Sequence, residues 1–453
     1  MNEQNCPASP APSSRRDFLK TSTAVVGGTL LGGLSLERSA HAAGSDCLNI
    51  ALIGCGGRGS GAADQALSTT GNTKLVAMAD AFKDRLDGSL RELKQKHGEK
   101  TAVSDDKKFI GFDAYKEAIA LADVVILATP PGFRPIHFEE AVRQGKHVFM
   151  EKPVATDAPG VRRVLAAAEE AKKKNLKVGV GLQRHHQLGY LETIKRLQEG
   201  AIGDITAMRC YWNGTTPWVH PRAELEKQHG RKLTEMEYQM RNWYYFVWLC
   251  GDHICEQHIH NLDVINWVKQ GHPVRAQGMG GVEVRKGPDY GEIFDHHAVE
   301  FEYADGSRCF SYCRHINGCW DSVSEYAVGT KGSVDISGHT IRGDNAWRFK
   351  GGGKNPYQQE HDDLFDAIRN NQPYNEADNG IDSTATAILG RMATYSGQKV
   401  SWENCVNSQL DLHPKVYDFN ADPKDLWPDA AVRCAPDSAG HYPVPKPGMI
   451  KAF

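Results

Sequence analysis

The chain has 453 residues, of which 40% are hydrophobic and 24% charged, and its formal net charge is -3 at pH 7. The length favours two domains, because a single hydrophobic core rarely grows so large. The small net charge gives no electrostatic reason to expect a nucleic acid partner. No apolar run of membrane-spanning length follows the N-terminus, so we expect no membrane span in the mature chain.

The first 42 residues are predicted to be a twin-arginine signal peptide. Arg15 and Arg16 precede a modestly apolar segment, residues 21–36, and Ala40-His41-Ala42 has the small-x-small pattern of a cleavage site. The alternative is a basic amphipathic tail. The signal implies a bacterial protein that folds before export, so we expect a periplasmic or other extracytoplasmic location.

The segment after the signal has the pattern of a dinucleotide-binding unit. A short apolar run, residues 48–53, reads as a buried strand, and a helical stretch, residues 61–67, follows it. Between them lies a GxGxxG turn, in which glycines allow a tight turn and a close approach of the backbone to a pyrophosphate. The residues predicted to bind the cofactor in this turn are Gly54, Gly56, Gly57, Arg58 and Gly59.

A second predicted strand, residues 74–79, ends at Asp80, which lies 21 residues past Gly59. At that spacing a carboxylate accepts hydrogen bonds from the adenosine ribose. The alternative is a plain helix N-cap. The charge of Asp80 should repel a 2′-phosphate, so we expect NAD rather than NADP, with NADP as the second option.

Two more buried strands, residues 122–128 and 145–150, alternate with helical stretches at 85–97, 113–121 and 138–144. This alternation predicts a doubly wound parallel sheet, which binds ligands at the carboxyl ends of its strands. Thr129, Pro130, Glu151 and Lys152 lie at such ends. We therefore predict a Rossmann domain over residues 43–175.

Several motifs together resemble the glucose–fructose oxidoreductase, inositol dehydrogenase and rhizopine-catabolism (Gfo/Idh/MocA) family. The N-terminal ones are the glycine turn, Asp80, the Thr-Pro turn and Glu151-Lys152-Pro153. Downstream ones are Ala201-Ile202-Gly203-Asp204-Ile205, His260-Asn261-Leu262-Asp263 followed by Trp267, and Gly329-Thr330-Lys331-Gly332-Ser333. The resemblance spans residues 49–402.

The resemblance implies an N-terminal Rossmann domain and a C-terminal α/β domain with an open, mostly antiparallel sheet. We assign the second domain to residues 176–410 and a C-terminal arm to 411–453. It also implies cofactor contacts from His137 and oxidation or reduction of a sugar or cyclitol hydroxyl with NAD(P). By the same analogy we expect a homodimer or homotetramer.

Three departures from the family pattern put the substrate in doubt more than the fold. Glu256 stands where the family usually has Asp. The Thr-Pro-Asn turn appears as Thr129-Pro130-Pro131, with about three extra residues before His137. A segment rich in proline, charge and aromatic residues, 213–241, interrupts the second domain; we call it the insert.

The catalytic hypothesis rests on Lys152, His260 and Glu256. Hydride transfer from a carbinol needs a base for the hydroxyl proton and a positive group near the oxygen. A helix predicted over residues 255–270 would place Glu256, His260, Asp263 and Trp267 on one face. We predict that Lys152 and His260 form the acid/base pair and that Glu256 orients His260; the alternative is a polar stripe without a catalytic role.

Other polar and aromatic residues are weaker candidates. Arg184 and Asp263 are candidates for contact with substrate, and Trp212 is one of several tryptophans and tyrosines that either line the site or pack in the core. A metal bound by Glu256, His260 and nearby histidines is an alternative, but the chain lacks an HExxH motif. Its 11 cysteines lack paired CxxC spacing. We therefore predict no metal site.

These features predict an exported oxidoreductase that acts on a sugar-like hydroxyl with tightly held NAD(H). Free NAD is scarce outside the cytoplasm, so the cofactor must be loaded before export and recycled on the protein. The first alternative is an NAD-dependent glycoside hydrolase that uses transient oxidation and elimination. The second is an NAD-binding protein without catalytic activity.

Overall fold

The computed structural model describes residues 46–427 and 434–451. The predicted signal peptide lies outside the described residues. In the described part of the chain, no helix is both long and apolar enough to span a bilayer.

The first half of the chain forms a six-stranded parallel sheet in the order β3-β2-β1-β4-β5-β6. Every residue of its central strand β4 is buried, because helices cover both faces of the sheet. The strands are β1 (Cys47–Ile53), β2 (Asn72–Asp80), β3 (Lys108–Ile110), β4 (Val124–Leu127), β5 (His147–Met150) and β6 (Val178–Val180). The helices are α1 (Gly57–Leu67), α2 (Lys83–His97), α3 (Ala114–Ala120), α4 (Arg134–Arg143) and α5 (Ala158–Lys173).

The last strand of this sheet, β6, lies beyond residue 175, where we placed the end of the Rossmann domain. Val178–Val180 pairs in parallel with β5. The first sheet therefore takes its edge strand from the segment that we assigned to the second domain.

The second half forms a nine-stranded sheet in the order β14-β13-β12-β11-β7-β10-β9-β8-β15. Its strands pair antiparallel except for β7 and β10. They are β7 (Ile205–Gly214), β8 (Arg275–Gly281), β9 (His296–Glu302), β10 (Arg308–His315), β11 (Ser322–Gly329), β12 (Gly332–Asp335), β13 (Thr340–Gly343), β14 (Trp347–Arg348) and β15 (Val400–Ser401). The predicted fold class, a Rossmann sheet plus an open, mostly antiparallel sheet, is confirmed.

Helices lie against one face of this second sheet and leave aromatic side chains exposed on the other. The remaining helices are α6 (Leu188–Gln198), α7 (Arg222–His229), α8 (Glu235–Arg241), α9 (Val247–Cys250), α10 (His253–Glu256), α11 (Ile259–Lys269), α12 (Pro356–Arg369), α13 (Ala377–Ser396), α14 (Trp402–Val406) and α15 (Pro423–Leu426). The three-residue turn Trp243–Tyr245 and the four-residue turn Gln183–His186 are 3-10 helices.

The single helix predicted over residues 255–270 is wrong, because the chain forms α10 and α11 with a break at Gln257 and His258. The backbone N–H of His258 reaches back to the carbonyl of His253 at 3.1 Å. The His258 ring lies against Ser311 in β10, with Nε2 and Oγ 2.7 Å apart. This contact with the sheet accompanies the break, so Glu256 and His260 do not lie on one continuous helix.

The insert and the C-terminal arm share a hydrophobic cluster apart from the two main cores. Its buried members include Tyr238 of the insert, Trp248 of α9, and Leu426 and Tyr442 of the arm. Of the ten cysteines that the structure describes, eight are buried and all ten are free thiols.

Candidate cofactor site and active site

The glycine turn between β1 and α1 leaves room where a phosphate would approach and none where the chain packs on itself. A Cβ on Gly59 would lie 1.9 Å from the Gly54 carbonyl oxygen, so helix and turn are in direct contact. At Gly56 and Gly57 a Cβ would meet no atom within 4 Å. No side chain caps the N-terminus of α1 at Gly56. The turn therefore fits a pyrophosphate at a helix N-terminus.

Asp80 lies at the end of β2, beside this turn. Its carboxylate accepts hydrogen bonds from the backbone N–H of Cys55 at 2.7 Å and of Phe82 at 2.8 Å. Burial raises the pKa of Asp80, and those two hydrogen bonds oppose the shift. The carboxylate is thus fixed in place at the position expected for a ribose contact.

A cavity of about 480 Å³ connects the glycine turn to the predicted catalytic lysine. Its wall on the Rossmann side includes Gly54, Gly56, Gly57, Arg58, Asp80, Phe82, Thr129, Pro130, His137, Glu151 and Lys152. Its opposite wall includes Trp218, His220, Met240, Arg241, Trp243 and Glu256. The structure thus brings nearly all the predicted cofactor residues to one cavity. The exception is Gly59, which does not line the cavity but packs against the Gly54 carbonyl.

Two contacts fix the strand ends in that cavity. Arg58 pairs with Glu151 at 2.8 Å, which joins the glycine turn to the Glu-Lys-Pro segment. The Thr129 hydroxyl lies 3.2 Å from Nδ1 of His137. Burial, aided by the charge of Arg134, lowers the pKa of His137 to about 3, so its ring is neutral.

Lys152 and Glu256 form an ion pair with 3.0 Å between Nζ and Oε1. The Lys152 ammonium also donates to the Glu256 backbone carbonyl. Both side chains are only 11% exposed. Burial raises the pKa of Glu256, and the charge of Lys152 opposes this shift. We predicted that Glu256 orients His260, but in the structure it contacts Lys152.

His260 lies behind this pair, at the start of α11. Its ring stacks on Trp212 with centroids 5.9 Å apart, and its side chain is buried. Burial lowers the pKa of His260 well below 6.5, and the charges of Lys152 and Arg184 lower it further. The ring is therefore a neutral imidazole, and within the described chain the cavity lining does not include it. Its role as the base stays a prediction.

Two predicted substrate residues are engaged with protein groups. Arg184 forms a buried ion pair with Glu325, which also accepts a hydrogen bond from Tyr190 at 3.1 Å. Asp263 lies 2.8 Å from His185 and accepts a hydrogen bond from Ser383, also at 2.8 Å. Within the described chain, the cavity lining includes neither residue. Their role in binding substrate stays a prediction without support from this geometry.

A buried network lies at the start of α10, the helix that ends at Glu256. One ligand-type atom each from Asp252, His253 and His297 lie within 4.8 Å of one another, and all three residues are fully buried. Asp252 accepts hydrogen bonds from Tyr395 Oη at 2.6 Å and from the Phe294 backbone at 3.0 Å. These hydrogen bonds hold Asp252, whereas the buried Nε2 of His253 has no hydrogen-bond partner among the described residues; the absence of a metal stays a prediction.

The cavity wall opposite the glycine turn includes Trp218 and Trp243, two of the tryptophans expected either to line the site or to pack in the core, but the sequence did not point to His220, Met240 or Arg241. Trp218, His220, Met240 and Arg241 belong to the insert and carry no local motif. The only signal in the sequence was the concentration of aromatic and charged residues in an inserted segment. Tyr244, Tyr245 and Trp248 are buried core residues, whereas Trp218 and Trp243 line the cavity.

Comparison with known proteins finds a family match in the N-terminal part of the chain. Residues 48–181 match the GFO_IDH_MocA model, described as "Oxidoreductase family, NAD-binding Rossmann fold". The chain is 26% identical over 234 residues to 2,7-anhydro-N-acetylneuraminate hydratase of Escherichia coli, covering 49% of this chain and 56% of that protein. It is 29% identical over 167 residues to inositol 2-dehydrogenase of Gluconacetobacter diazotrophicus, covering 36% of this chain and 41% of that protein. These alignments thus cover less than two thirds of either relative.

Solved structures share the fold over a larger part of the chain. An aldose-aldose oxidoreductase from Caulobacter crescentus superposes with a TM-score of 0.61 at 19% identity, covering 78% of this chain and 99% of that one. A scyllo-inositol dehydrogenase from Lactobacillus casei, with bound NAD(H) and scyllo-inositol, gives 0.58 at 21% identity, covering 79% and 99%. At these identities the likeness shows the fold alone.

Proposed function

We propose that the chain transfers hydride between NAD and a hydroxyl carbon of a sugar or cyclitol, because residues 48–181 match the NAD-binding Rossmann model of the Gfo/Idh/MocA oxidoreductase family. The observation that carries this proposal is the Lys152–Glu256 ion pair, which faces the same cavity as the glycine turn. Bound NAD would supply the hydride acceptor. Side chains of the protein would bind the substrate oxygen and accept the hydroxyl proton.

The buried pair suits a carbinol substrate. Lys152 has three N–H donors, and one of them can bond the substrate oxygen while the ammonium stabilises its developing negative charge. Neutral His260 can take the hydroxyl proton as a general base. Glu256 holds the ammonium in place and can accept a hydrogen bond from a neighbouring hydroxyl.

The substrate class is proposed from the cavity and from the relatives. Several relatives are named inositol 2-dehydrogenase, and a structural neighbour is an aldose-aldose oxidoreductase. Polyols present several hydroxyls, which match a cavity lined by Lys152 and Glu256. We take NAD as the cofactor rather than NADP, because the fixed Asp80 carboxylate would repel a 2′-phosphate.

The test is turnover by Lys152→Met, with Lys146→Met as the matched control. The two lysines flank the same strand, β5, but only Lys152 lines the cavity. Absorbance of NADH at 340 nm is followed with a panel of inositols and aldoses. We expect Lys152→Met to lose about 10²- to 10⁴-fold in rate and Lys146→Met to match the wild type. A Lys152→Met rate within about threefold of wild type would remove the proposed role.

A second candidate function is NAD-dependent glycoside cleavage without net redox. The hydratase relative favours it, because its name describes addition of water to a sugar, and addition of water is one half of an elimination–hydration sequence. Release of a chromophore from aryl glycosides, without added NAD and without net change at 340 nm, would support this candidate. Inertness toward such glycosides, with redox turnover of free polyols, would reject it.

Export by the twin-arginine pathway is proposed from Arg15 and Arg16. Replacement of both with lysine should hold the chain in the cytoplasm, as measured by fractionation and immunoblotting. An unchanged periplasmic fraction in that variant would contradict this route.

A further inference from the structure

We propose that the insert and the C-terminal arm, together with the Rossmann unit, form the binding site for the adenosine half of the cofactor and keep it bound through turnover. This inference rests on the proposed function. It assigns cofactor contacts to Trp218, His220, Met240 and Arg241, which lie outside the glycine turn and its strands. The ligand chemistry is a planar purine attached to a ribose at Asp80.

The insert closes the cavity at the end where β2 meets α2. Asp80, Phe82 and Arg85 form one side of the cavity there, and His220 and Arg241 form the other. A Rossmann sheet alone would leave this side open to solvent. In this chain a ligand at Asp80 lies between the two domains.

Arg241 joins the insert to the Rossmann domain. Its guanidinium makes two contacts of 3.1 Å with the Asp84 carboxylate and lies 3.9 Å from the centre of the Phe82 ring. The Arg241 side chain is only 7% exposed, and Glu237 holds it from behind at 3.3 Å. A guanidinium that is both ion-paired and stacked on a ring is held rigidly. Arg241 therefore fixes the position of the cavity wall that faces Asp80.

The arm supports the same end of the cavity from the other side. Phe419 packs on Phe82 and Phe112 with centroids 5.4 and 4.6 Å apart. Tyr417 packs on Phe112 at 5.8 Å and on Phe133 at 5.3 Å. Phe82, Phe112 and Phe133 all line the cavity. The aromatic wall that would contact adenine is therefore held in place by the arm.

The insert and the arm also hold each other. Gln239 in α8 donates to the Cys434 carbonyl of the arm at 2.6 Å. Tyr442 of the arm donates to Glu235 at the start of α8 and accepts from Arg222 at 3.2 Å. To open the adenosine side of the cavity, the insert must therefore break contacts to both Asp84 and the arm. Slow release of the dinucleotide follows from this geometry.

The test compares NADH release from Arg241→Gln and from Arg231→Gln. Both arginines lie in the insert and pair with Glu237, but Arg231 is 55% exposed and does not line the cavity. Each protein is loaded with NADH and mixed with excess NAD, and the loss of NADH fluorescence gives the release rate. We expect Arg241→Gln to release NADH at least about tenfold faster than wild type and Arg231→Gln to match it.

Three outcomes separate the two proposals. A release rate unchanged in Arg241→Gln overturns the inference and leaves the proposed function standing. A wild-type chain that binds no NADH overturns the proposed function itself. If Arg241→Gln fails to fold by circular dichroism, Phe419→Leu replaces it, since it loosens the contacts with Phe82 and Phe112 and keeps an apolar side chain. A wild-type release rate in that variant also overturns the inference.

Discussion

Lys152 and Glu256 come from different domains, and each depends on the other. Removal of either partner would leave the other as an unpaired buried charge, which is strongly destabilising. Glu256 alone would favour its neutral form, since burial raises its pKa. The pair therefore holds the Lys152 side chain at the end of β5, where a substrate oxygen can meet it.

The pH dependence of turnover tests the role of His260. Burial, with Lys152 and Arg184, lowers the pKa of its ring well below 6.5, so the ring becomes protonated only in solutions much more acidic than that. We expect wild-type kcat/KM to show no acid-side loss centred near pH 6.5, and His260→Asn to lose about 10²-fold or more.

The contrary result would be an acid-side loss centred near pH 6.5 in the wild type that disappears in His260→Asn. It would show that the ring titrates as if exposed to solvent. If His260→Asn kept the wild-type turnover rate, His260 would not be the base.

For single residues, the sequence motifs predicted which residues belong to the site better than they predicted which side chains these residues contact. The glycine spacing placed Gly54 and Gly56 at the turn, and the Glu-Lys-Pro motif placed Lys152 at a strand end. The motif could not show that Glu256 would contact Lys152, because the two are 104 residues apart in the chain. Nor could it show that Arg184 is paired, since Glu325 lies 141 residues further on.

At the scale of elements, the contact between α1 and the turn after β1 depends on Gly59. A Cβ there would overlap the Gly54 carbonyl at 1.9 Å, which is backbone and cannot move independently. We expect Gly59→Ala to lower the free energy of unfolding by about 1–3 kcal/mol and to weaken NADH binding.

Gly57→Ala is the control for stability, because its Cβ would meet nothing within 4 Å. Thermal unfolding of both variants checks the difference. Equal Tm values for Gly59→Ala and wild type would mean that α1 does not pack on the turn as described.

His186 links the 3-10 turn Gln183–His186 to α12 and to the start of α13. Its two ring nitrogens lie 2.6 Å from Asp363 and 2.9 Å from Glu376. Although burial alone would lower its pKa, these carboxylates raise it from 6.5 to about 10. The folded chain holds a proton that the unfolded chain releases, so the stabilisation is complete below pH 6.5 and is lost as the pH rises toward 10.

We therefore expect His186→Gln to cost about 2 kcal/mol in unfolding free energy near pH 6 and less near pH 9.5. His441→Gln is the control, because that histidine is 57% exposed and lies 3.8 Å from Asp437. Unfolding midpoints at the two pH values measure the difference. A penalty for His186→Gln that is the same at both pH values would contradict the charged pairing.

Helices and strands were predicted correctly where the pattern of apolar residues is clear. The prediction failed where an element ends at a contact with a residue distant in the chain. β4 was predicted because it is a short apolar run that both faces of the sheet bury. The break between α10 and α11 was missed, because it coincides with the contact between His258 and Ser311, 53 residues away. The apolar residues on both sides of the break give no local signal of it.

At the scale of the whole molecule, one surface stands out. The open face of the second sheet exposes Phe310, Tyr312 and Trp320, which are 38%, 40% and 64% exposed, together with Val328 at 51%. Tyr211 stacks on Tyr312 and meets Trp320 edge-on. We propose that this face pairs subunits into a dimer or tetramer, because contiguous exposed apolar surface marks association sites.

Trp320→Glu combined with Tyr312→Glu should convert the assembly to monomers, as measured by light scattering after gel filtration. Leu191→Glu is the control, since Leu191 is 40% exposed on α6, away from the sheet face. An assembly state unaffected by the double variant would place the subunit contact elsewhere.

The two domains together enclose the cavity, and we propose that NAD(H) binds there. The most direct measurement is a titration of nucleotide-stripped wild-type protein with NADH, followed by energy transfer from tryptophan, since Trp218 and Trp243 line the cavity. We predict saturable transfer at a single NADH per chain, with weaker binding of NADPH because of the Asp80 carboxylate. If the folded chain showed no saturable binding of NADH, the cavity would not be a site for NAD(H).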